Sequence, residues 1–285
     1  MNPAEFEHLA SLVRDRSGIV LSADKTYLLN SRLAPVAKQA GHATIADMVA
    51  SLRKGPANPA LEDQIVDAMT TNESYFFRDK KPFEIFEEVM VPDMVQLRTA
   101  MRKIRIWCAA ASSGQEPYTL AIQLKEMQHK LAGWRSEIIG TDISTEILEK
   151  AKAGLYSQFE VQRGMPIQLL VKYFEKRGDM WQVNSAIRAM VQLRRFNLLD
   201  RMLGLGTFDI VFCRNVLIYF DTETKADILQ RIAAQMAPDG YLVLGAAETV
   251  FGITDVFTPV PGQRGAFRRT DFFQKDQAQP SRLSA

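Results

Sequence analysis

The chain has 285 residues, which at about 150 residues per domain predicts two domains, or one with an extra subdomain. Hydrophobic residues make up 47 % and charged residues 24 %, which argues against wholesale disorder. Thirty-five basic against 33 acidic side chains leave a net charge of +2, too balanced for a protein that lives on contacts to a phosphate backbone.

The first residues carry neither a basic n-region nor an apolar h-region, so no signal peptide is expected. Asn2 can cap a helix and Pro3 suits its first position; Phe6, Leu9, Leu12 and Val13 then recur at helical spacing until Gly18. Ser22 or Asp24 opens a segment over 25–40 that Pro35 is expected to kink or break. Thr44 caps 45–52, which Gly55-Pro56 ends, and Leu61, Ile65, Ala68 and Met69 mark a fourth helix before Thr70-Thr71-Asn72. Residues 1–72 therefore predict a helical domain without strands.

From residue 103 the pattern changes. Residues 103–109 alternate with period two and predict a strand. Ser113-Gly114-Gln115-Glu116 has the Ser-x-x-Glu spacing of a capping box, so a helix through Ala121, Ile122 and Leu124 should open there. Residues 137–142 predict a second strand ending at Asp142, followed by a helix bearing Ile147, Leu148 and Ala151. Residues 208–213 predict a third strand, 222–236 a helix, 238–240 a turn and 241–245 a fourth strand. No apolar run reaches the ~20 residues of a membrane span; 208–220 comes nearest, interrupted by Asp209 and Arg214. The chain reads as cytoplasmic, without membrane insertion. Alternating strands and helices imply a doubly wound, mostly parallel α/β sheet. Residues 159–191 break the rhythm and read as an inserted subdomain within a second domain over 73–273, and 274–285 reads as a frayed polar tail.

Ligands of open α/β sheets bind beyond the carboxyl ends of the strands. Three polar clusters fall there: residues 110–117, Thr141-Asp142 and Arg214-Asn215. The first loop is neither GxGxxG nor GxxxxGK[ST]. Glu116 beside it would repel a pyrophosphate and suits an ammonium group, while Asp142 can hold two ribose hydroxyls. A nucleoside bearing a cation and no phosphate describes S-adenosylmethionine. Spacing alone leaves a blander reading open, with Glu116 as a helix cap and Asp142 as the N-cap of the next helix. Three histidines (His8, His42, His129) form no ligand grouping, so no metal is expected. Cys108 and Cys213, at the ends of strands expected to be neighbours, read as core residues that lie close together rather than as a redox pair. Trp107 and Trp181 read as packing residues.

Five motifs, in order, resemble the CheR family of bacterial chemotaxis receptor methyltransferases. Residues 70–79 (TTNESYFFRD) resemble its TTNxTxFFR, and 109–118 (AAASSGQEPY) its AxSxGEEPYS loop. Thr141-Asp142-Ile143, Asn197-Leu198-Leu199 and 212–220 (FCRNVLIYF) are similar to its TDI, NLL and FCRNVxIYF. The resemblance implies an all-α N-terminal domain followed by a class I methyltransferase domain with an inserted β-rich subdomain. It implies transfer of a methyl group from S-adenosylmethionine to chemoreceptor glutamates, giving methyl esters and S-adenosylhomocysteine. By motif position the cofactor contacts fall on Asn72, Ser74, Arg78, Glu116, Asp142, Asn197, Leu198, Arg214 and Asn215, with Asn197-Leu198 supplying backbone and amide contacts to adenine and Tyr219 beside the sulfonium. Arg78 and Tyr219 are the catalytic candidates, Arg78 orienting the incoming carboxylate. The bland alternatives are a salt bridge from Arg78 to Asp79 or Glu73, and a core role for Tyr219. Ser74 replaces the family's Thr and keeps the hydroxyl; Gln115 replaces the first Glu of GEEP and leaves Glu116 as the carboxylate there.

Lys25, Arg32 and Lys38, with Arg53 and Lys54 against Asp47 alone, form a local basic excess that suits docking to an acidic receptor helix, or is only a solvated helix face. The stretch 177–183 is short where some family members tether a receptor's C-terminal pentapeptide, so pentapeptide-independent recognition is expected. A nucleic-acid methyltransferase would carry [DN]PP[YF] after the fourth motif strand, where this chain has Arg214-Asn215-Val216-Leu217. A non-enzymatic S-adenosylmethionine-binding scaffold or sensor, and a methyltransferase acting on another partner, are the remaining alternatives.

Overall fold

The computed structural model describes residues 2–277, so the expected tail lies outside the described residues from 278 onward. The first helix, α1 (Pro3–Ser17), starts on a reciprocal cap: Asn2 accepts from the Glu5 amide while the Glu5 carboxylate accepts from the Asn2 amide. Gly18 ends it in the left-handed region at φ 77°. Helix α2 (Thr26–Gln39) runs through Pro35 without the break that was one of the two expected outcomes. Pro35 is exposed, and so is Ser31, whose carbonyl loses its helical donor to the proline and meets water instead. Burial of Leu29, Leu33, Val36 and Ala37 holds the helix together. Thr44 and Asp47 cap α3 (Ile45–Lys54), and Asn58 caps α4 (Pro59–Met69). Leu9, Val13, Leu33, Met48 and Ile65 form the shared core of these four helices.

A helical rod with no counterpart in the sequence reading follows: α5 (Lys81–Ile85), a π-helical turn (Phe86–Met90) and α6 (Val91–Leu97). Pro82 at its start and the apolar spacing of Phe83, Phe86, Met90 and Met94 were the available signal; all four apolar side chains are buried against the sheet.

The α/β part continues as β1 (Lys103–Ala109), α7 (Gln115–Glu126), β2 (Arg135–Asp142), α8 (Thr145–Ala153), β3 (Leu155–Ser157), α9 (Gln158–Gln162), α10 (Ile167–Tyr173), β4 (Phe174–Arg177), β5 (Met180–Val183) and α11 (Ser185–Arg188). It ends with β6 (Val191–Arg195), β7 (Phe208–Cys213), α12 (Thr222–Ala234), β8 (Met236–Leu244), β9 (Phe257–Pro259), β10 (Ala266–Arg269) and α13 (Thr270–Gln277). The main sheet runs β6-β2-β1-β7-β8-β10-β9, its first five strands parallel and β10 and β9 antiparallel. A small antiparallel sheet, β3-β5-β4, starts at Leu155, ahead of the expected insertion.

Alternation along the central strands sorts side chains into two cores. Ile104, Ile106 and Cys108 of β1 join Ile210 and Phe212 of β7 on one face; Trp107 and Ala109 join Val211 and Cys213 on the other. The two cysteines, expected to lie close together, therefore sit on opposite faces of the sheet. The turn expected at 238–240 is part of β8, where the register shifts opposite Phe208 and Ile210. Arg98 fixes this irregular stretch by pairing with both Asp239 and Asp209. Among the described residues no helix is long and apolar enough to cross a membrane.

Candidate active site

A cleft open to solvent lies beyond the carboxyl ends of β1, β2 and β7, where ligands of open α/β sheets bind. The 70–74 segment after α4 and residues Ser17 and Ile19 close its other side. Asn72, Ser74, Arg78, Glu116, Asp142, Asn197, Leu198, Arg214, Asn215 and Tyr219 all line it. Lys25, Arg32 and Lys38 do not.

The loop after β1 folds tightly because the amides of Ala110 and Ala111 both donate to the Thr141 carbonyl, at 2.9 and 2.8 Å. Ala110, Ser112 and Gly114 take left-handed conformations, and a side chain at Gly114 would press on Ala151, Tyr118 and Tyr156 at 3.1 Å. The expected capping box does not form. Gly114 is the N-cap of α7, Ser113 Oγ donates to Gln115 Oε1 at 2.7 Å, and the Glu116 carboxylate turns to Arg214.

That pair dominates the electrostatics. Arg214 Nη1 donates to Glu116 at 2.7 Å; its Nη2 donates to Asp79 at 2.8 Å and to the Arg78 carbonyl at 2.9 Å. The Arg214 side chain is 1 % exposed and that of Glu116 12 %. Burial pushes the Glu116 carboxyl above its usual range, although Arg214 and the Cys108 thiol, which donates to it, pull the other way. One guanidinium thus serves two carboxylates, and its Nε has no partner among the described residues.

Arg78 projects from a strained turn: Phe77, Asp79 and Lys80 all have positive φ, at 52°, 68° and 49°. Neither bland salt bridge exists. Asp79 is held by Arg214, the Glu73 carboxylate by Arg163 at 2.6 Å, and Arg78 donates instead to the Glu73 carbonyl at 2.7 Å.

Asp142 is 7 % exposed and accepts the Ser112 amide at 2.8 Å and the Ser144 amide at 3.1 Å. Burial raises its pKa against these amides, which favour the charged form. The N-cap of α8 is Ser144, not Asp142. Ser112 Oγ donates to the Asn72 carbonyl at 2.9 Å, joining this strand end to the segment after α4.

Asn197 lines the cleft, but its side-chain amide donates to the Arg16 carbonyl at 2.7 Å and accepts the Leu199 amide at 3.0 Å. The side-chain amide, one of the contacts expected for adenine, is therefore engaged within the protein, while the backbone of Asn197-Leu198 is not involved in these bonds. Asn215 has φ 58°, and the Tyr219 carbonyl accepts the Val20 amide at 2.9 Å. Arg32 departs from its expected docking role. Its Nη1 donates to the carbonyls of Met69 and Thr70 at 3.1 and 2.9 Å, where α4 ends with unpaired acceptors. Lys25 and Lys38 are exposed. The sequence reading missed Asp79, Ser112 and Glu248; Asp79 and Ser112 lay inside quoted motifs, whereas no local signal marks Glu248.

A mostly parallel sheet in this order, a buried acid at the end of β2 and a β1 loop without a phosphate-binding pattern together define a Rossmann-like class I methyltransferase fold. Residues 72–266 match the family described as CheR methyltransferase, SAM binding domain, and residues 4–70 match CheR methyltransferase, all-alpha domain. The chain is 40 % identical over 260 residues to Chemotaxis protein methyltransferase Cher2 of Pseudomonas putida, spanning 90 % of this chain and 94 % of that one. It is 40 % identical over 270 residues to Chemotaxis protein methyltransferase 1 of Pseudomonas aeruginosa, spanning 93 % and 97 %. It is 39 % identical over 259 residues to the chemotaxis protein methyltransferase of Vibrio parahaemolyticus, spanning 90 % and 93 %. The chain belongs to the CheR methyltransferase family and is an S-adenosylmethionine-dependent methyltransferase. The non-enzymatic scaffold reading is not favoured.

Proposed function

We propose that this enzyme methylates side-chain carboxylates of glutamates on the cytoplasmic helices of chemoreceptors, forming methyl esters. The observation that carries the reading is the pair of buried acids, Glu116 and Asp142, facing one cleft beside Arg78. A pyrophosphate would meet two carboxylates there, whereas an ammonium and a ribose diol fit them.

S-adenosylmethionine, when bound, supplies an electrophilic methyl group. Asp142, whose charged form is prepared by backbone amides, accepts the ribose hydroxyls. Glu116, with Arg214 balancing its charge, takes the ammonium. Asn72, Ser74, Asn197, Leu198 and Asn215 wall the site. An acceptor glutamate is ionised at pH 7 and needs no general base. What remains for the protein is positioning and exclusion of water. Arg78 is half-buried on the cleft wall with one guanidinium nitrogen held by the Glu73 carbonyl, so its outer edge meets the incoming carboxylate. Tyr219 packs beside the reacting centre.

Lys25 and Lys38 are the docking cations of α2 and its entry, without Arg32. The β4–β5 hairpin turns on Gly178 and Asp179 alone, which supports recognition independent of a receptor pentapeptide. Acceptor sites on the cytoplasmic helices of receptors imply a cytoplasmic enzyme.

The test is transfer of tritiated methyl from S-adenosylmethionine to a chemoreceptor cytoplasmic fragment. Label released as methanol by mild alkali, and lost when the acceptor glutamates are changed to alanine, is the expected result. Alkali-stable label, or none on any receptor, overturns the reading.

A further inference from the structure

Four backbone amides converge on one side chain just outside the cleft. Glu248 lies in the loop after β8. Its Oε2 accepts from the amides of Asn215 and Gly245, each at 2.7 Å. Its Oε1 accepts from those of Val216 and Leu217, at 2.9 and 2.8 Å. A single side chain thereby satisfies three successive amides of the turn that follows β7. This turn is neither strand nor helix until Leu217, and Asn215 stands in a left-handed conformation within it. With no regular partner for these donors, their pairing falls to the carboxylate, and charge-assisted bonds of this kind are roughly twice as strong as neutral ones.

The surroundings are built to match. A Cβ added to Gly245 would lie 2.7 Å from Glu248 Oε2, 2.9 Å from Asn215 Nδ2 and 3.0 Å from the Asn215 amide, so position 245 has no room for a side chain. The turn held in this way presents Asn215, Val216 and Tyr219 to the cleft, whereas Glu248 itself does not line it.

We propose that Glu248 is a positioning residue for cofactor binding, setting the Arg214–Tyr219 turn through its four amide bonds. The inference rests on the cleft and the cofactor, and is independent of which acceptor the enzyme methylates.

Glu248→Gln keeps the shape but replaces one oxygen with an N–H donor facing two amide donors. S-adenosylhomocysteine affinity is measured by calorimetry below the unfolding transition, together with hydrogen exchange of amides 215–217. Ile232→Ala, which hollows the core beneath α12, serves as a stability control. The expected result is an affinity loss of tenfold or more and faster exchange at 215–217 for Glu248→Gln, with the control within threefold of wild type at a comparable drop in Tm. Wild-type affinity in Glu248→Gln, or an equal loss in the control, overturns the proposal. Gly245→Ala carries the same test without changing charge. It should lose affinity in the same way, and wild-type binding by it overturns the proposal as well.

Discussion

Arg214 Nη2 lies 2.8 Å from Asp79 Oδ2, and through that pair the buried end of β7 grips the strained turn from which Arg78 projects. The same guanidinium offsets Glu116. Removing one partner of a buried ion pair leaves an uncompensated charge, at a cost of about 3–5 kcal/mol. Arg214→Met should therefore unfold at lower urea by about that amount at pH 8. The loss should be smaller at pH 5. Burial already raises the Glu116 carboxyl, and without Arg214 it takes up a proton more readily, which removes the buried charge. A destabilisation independent of pH would show that Glu116 is not the group left exposed to the loss.

Asp79→Asn separates the turn from the cleft floor. Arg214 keeps Glu116 and the Arg78 carbonyl, so cofactor affinity should stay within about threefold. The Arg78 turn loses its charged anchor, and a displacement of about 1 Å at a reacting group costs up to 10²-fold. Methyl transfer should fall by at least tenfold in kcat. Arg78→Lys should do the same for a different reason, since a point charge cannot make the bidentate contact of a guanidinium. Equal losses of cofactor affinity and rate in both variants would instead place Arg78 on the cofactor.

Arg32 and its neighbours on α2 divide into structural and docking cations. Arg32 ties α2 to the carbonyl end of α4, so Arg32→Ala should cost about 1 kcal/mol or more in urea unfolding. Lys25→Ala and Lys38→Ala touch nothing inside and should stay within about 0.5 kcal/mol of wild type. The lysine variants should raise the KM for receptor, with an effect that fades at high salt. A receptor KM that ignores both lysines would move the docking surface elsewhere.

These residues show where the sequence was readable. The five motifs converge because each marks a strand end or the segment after α4, and the sheet brings those points together. β1 was readable from its period-two alternation and β7 as a short apolar run, the pattern of a strand packed on both faces. Neither pattern was readable for β9 and β10, which are three and four residues long. Side-chain direction was the larger gap. Nothing local says that Arg32 turns inward, that Glu116 leaves its cap for an arginine 98 positions away, or that Glu248 reaches back 33 positions to Asn215. Pro35 does not break α2 because burial of its neighbours and the exposure of the Ser31 carbonyl to water offset the lost hydrogen bond.

Asp67, on the inner side of α4, gives a pH-dependent prediction. Burial raises its carboxyl from the ordinary 3.8 to about 6; Arg195 opposes the rise, and Asp63, Asp142 and Glu146 add to it. The folded protein therefore binds this proton more tightly than the unfolded chain, so stability falls as pH rises from about 4 through 6. The site is only half-buried and solvent screens it, so the cost above pH 6 is on the order of 1 kcal/mol. Asp67→Asn removes that cost and the repulsion on Asp142. It should raise Tm at pH 7.5 by a few degrees and leave Tm nearly unchanged at pH 3.5, where the carboxyl is protonated in the fold and mostly protonated in the unfolded chain. Thermal melts at the two pH values decide it, and equal shifts at both would mean that Asp67 stays ionised in the fold.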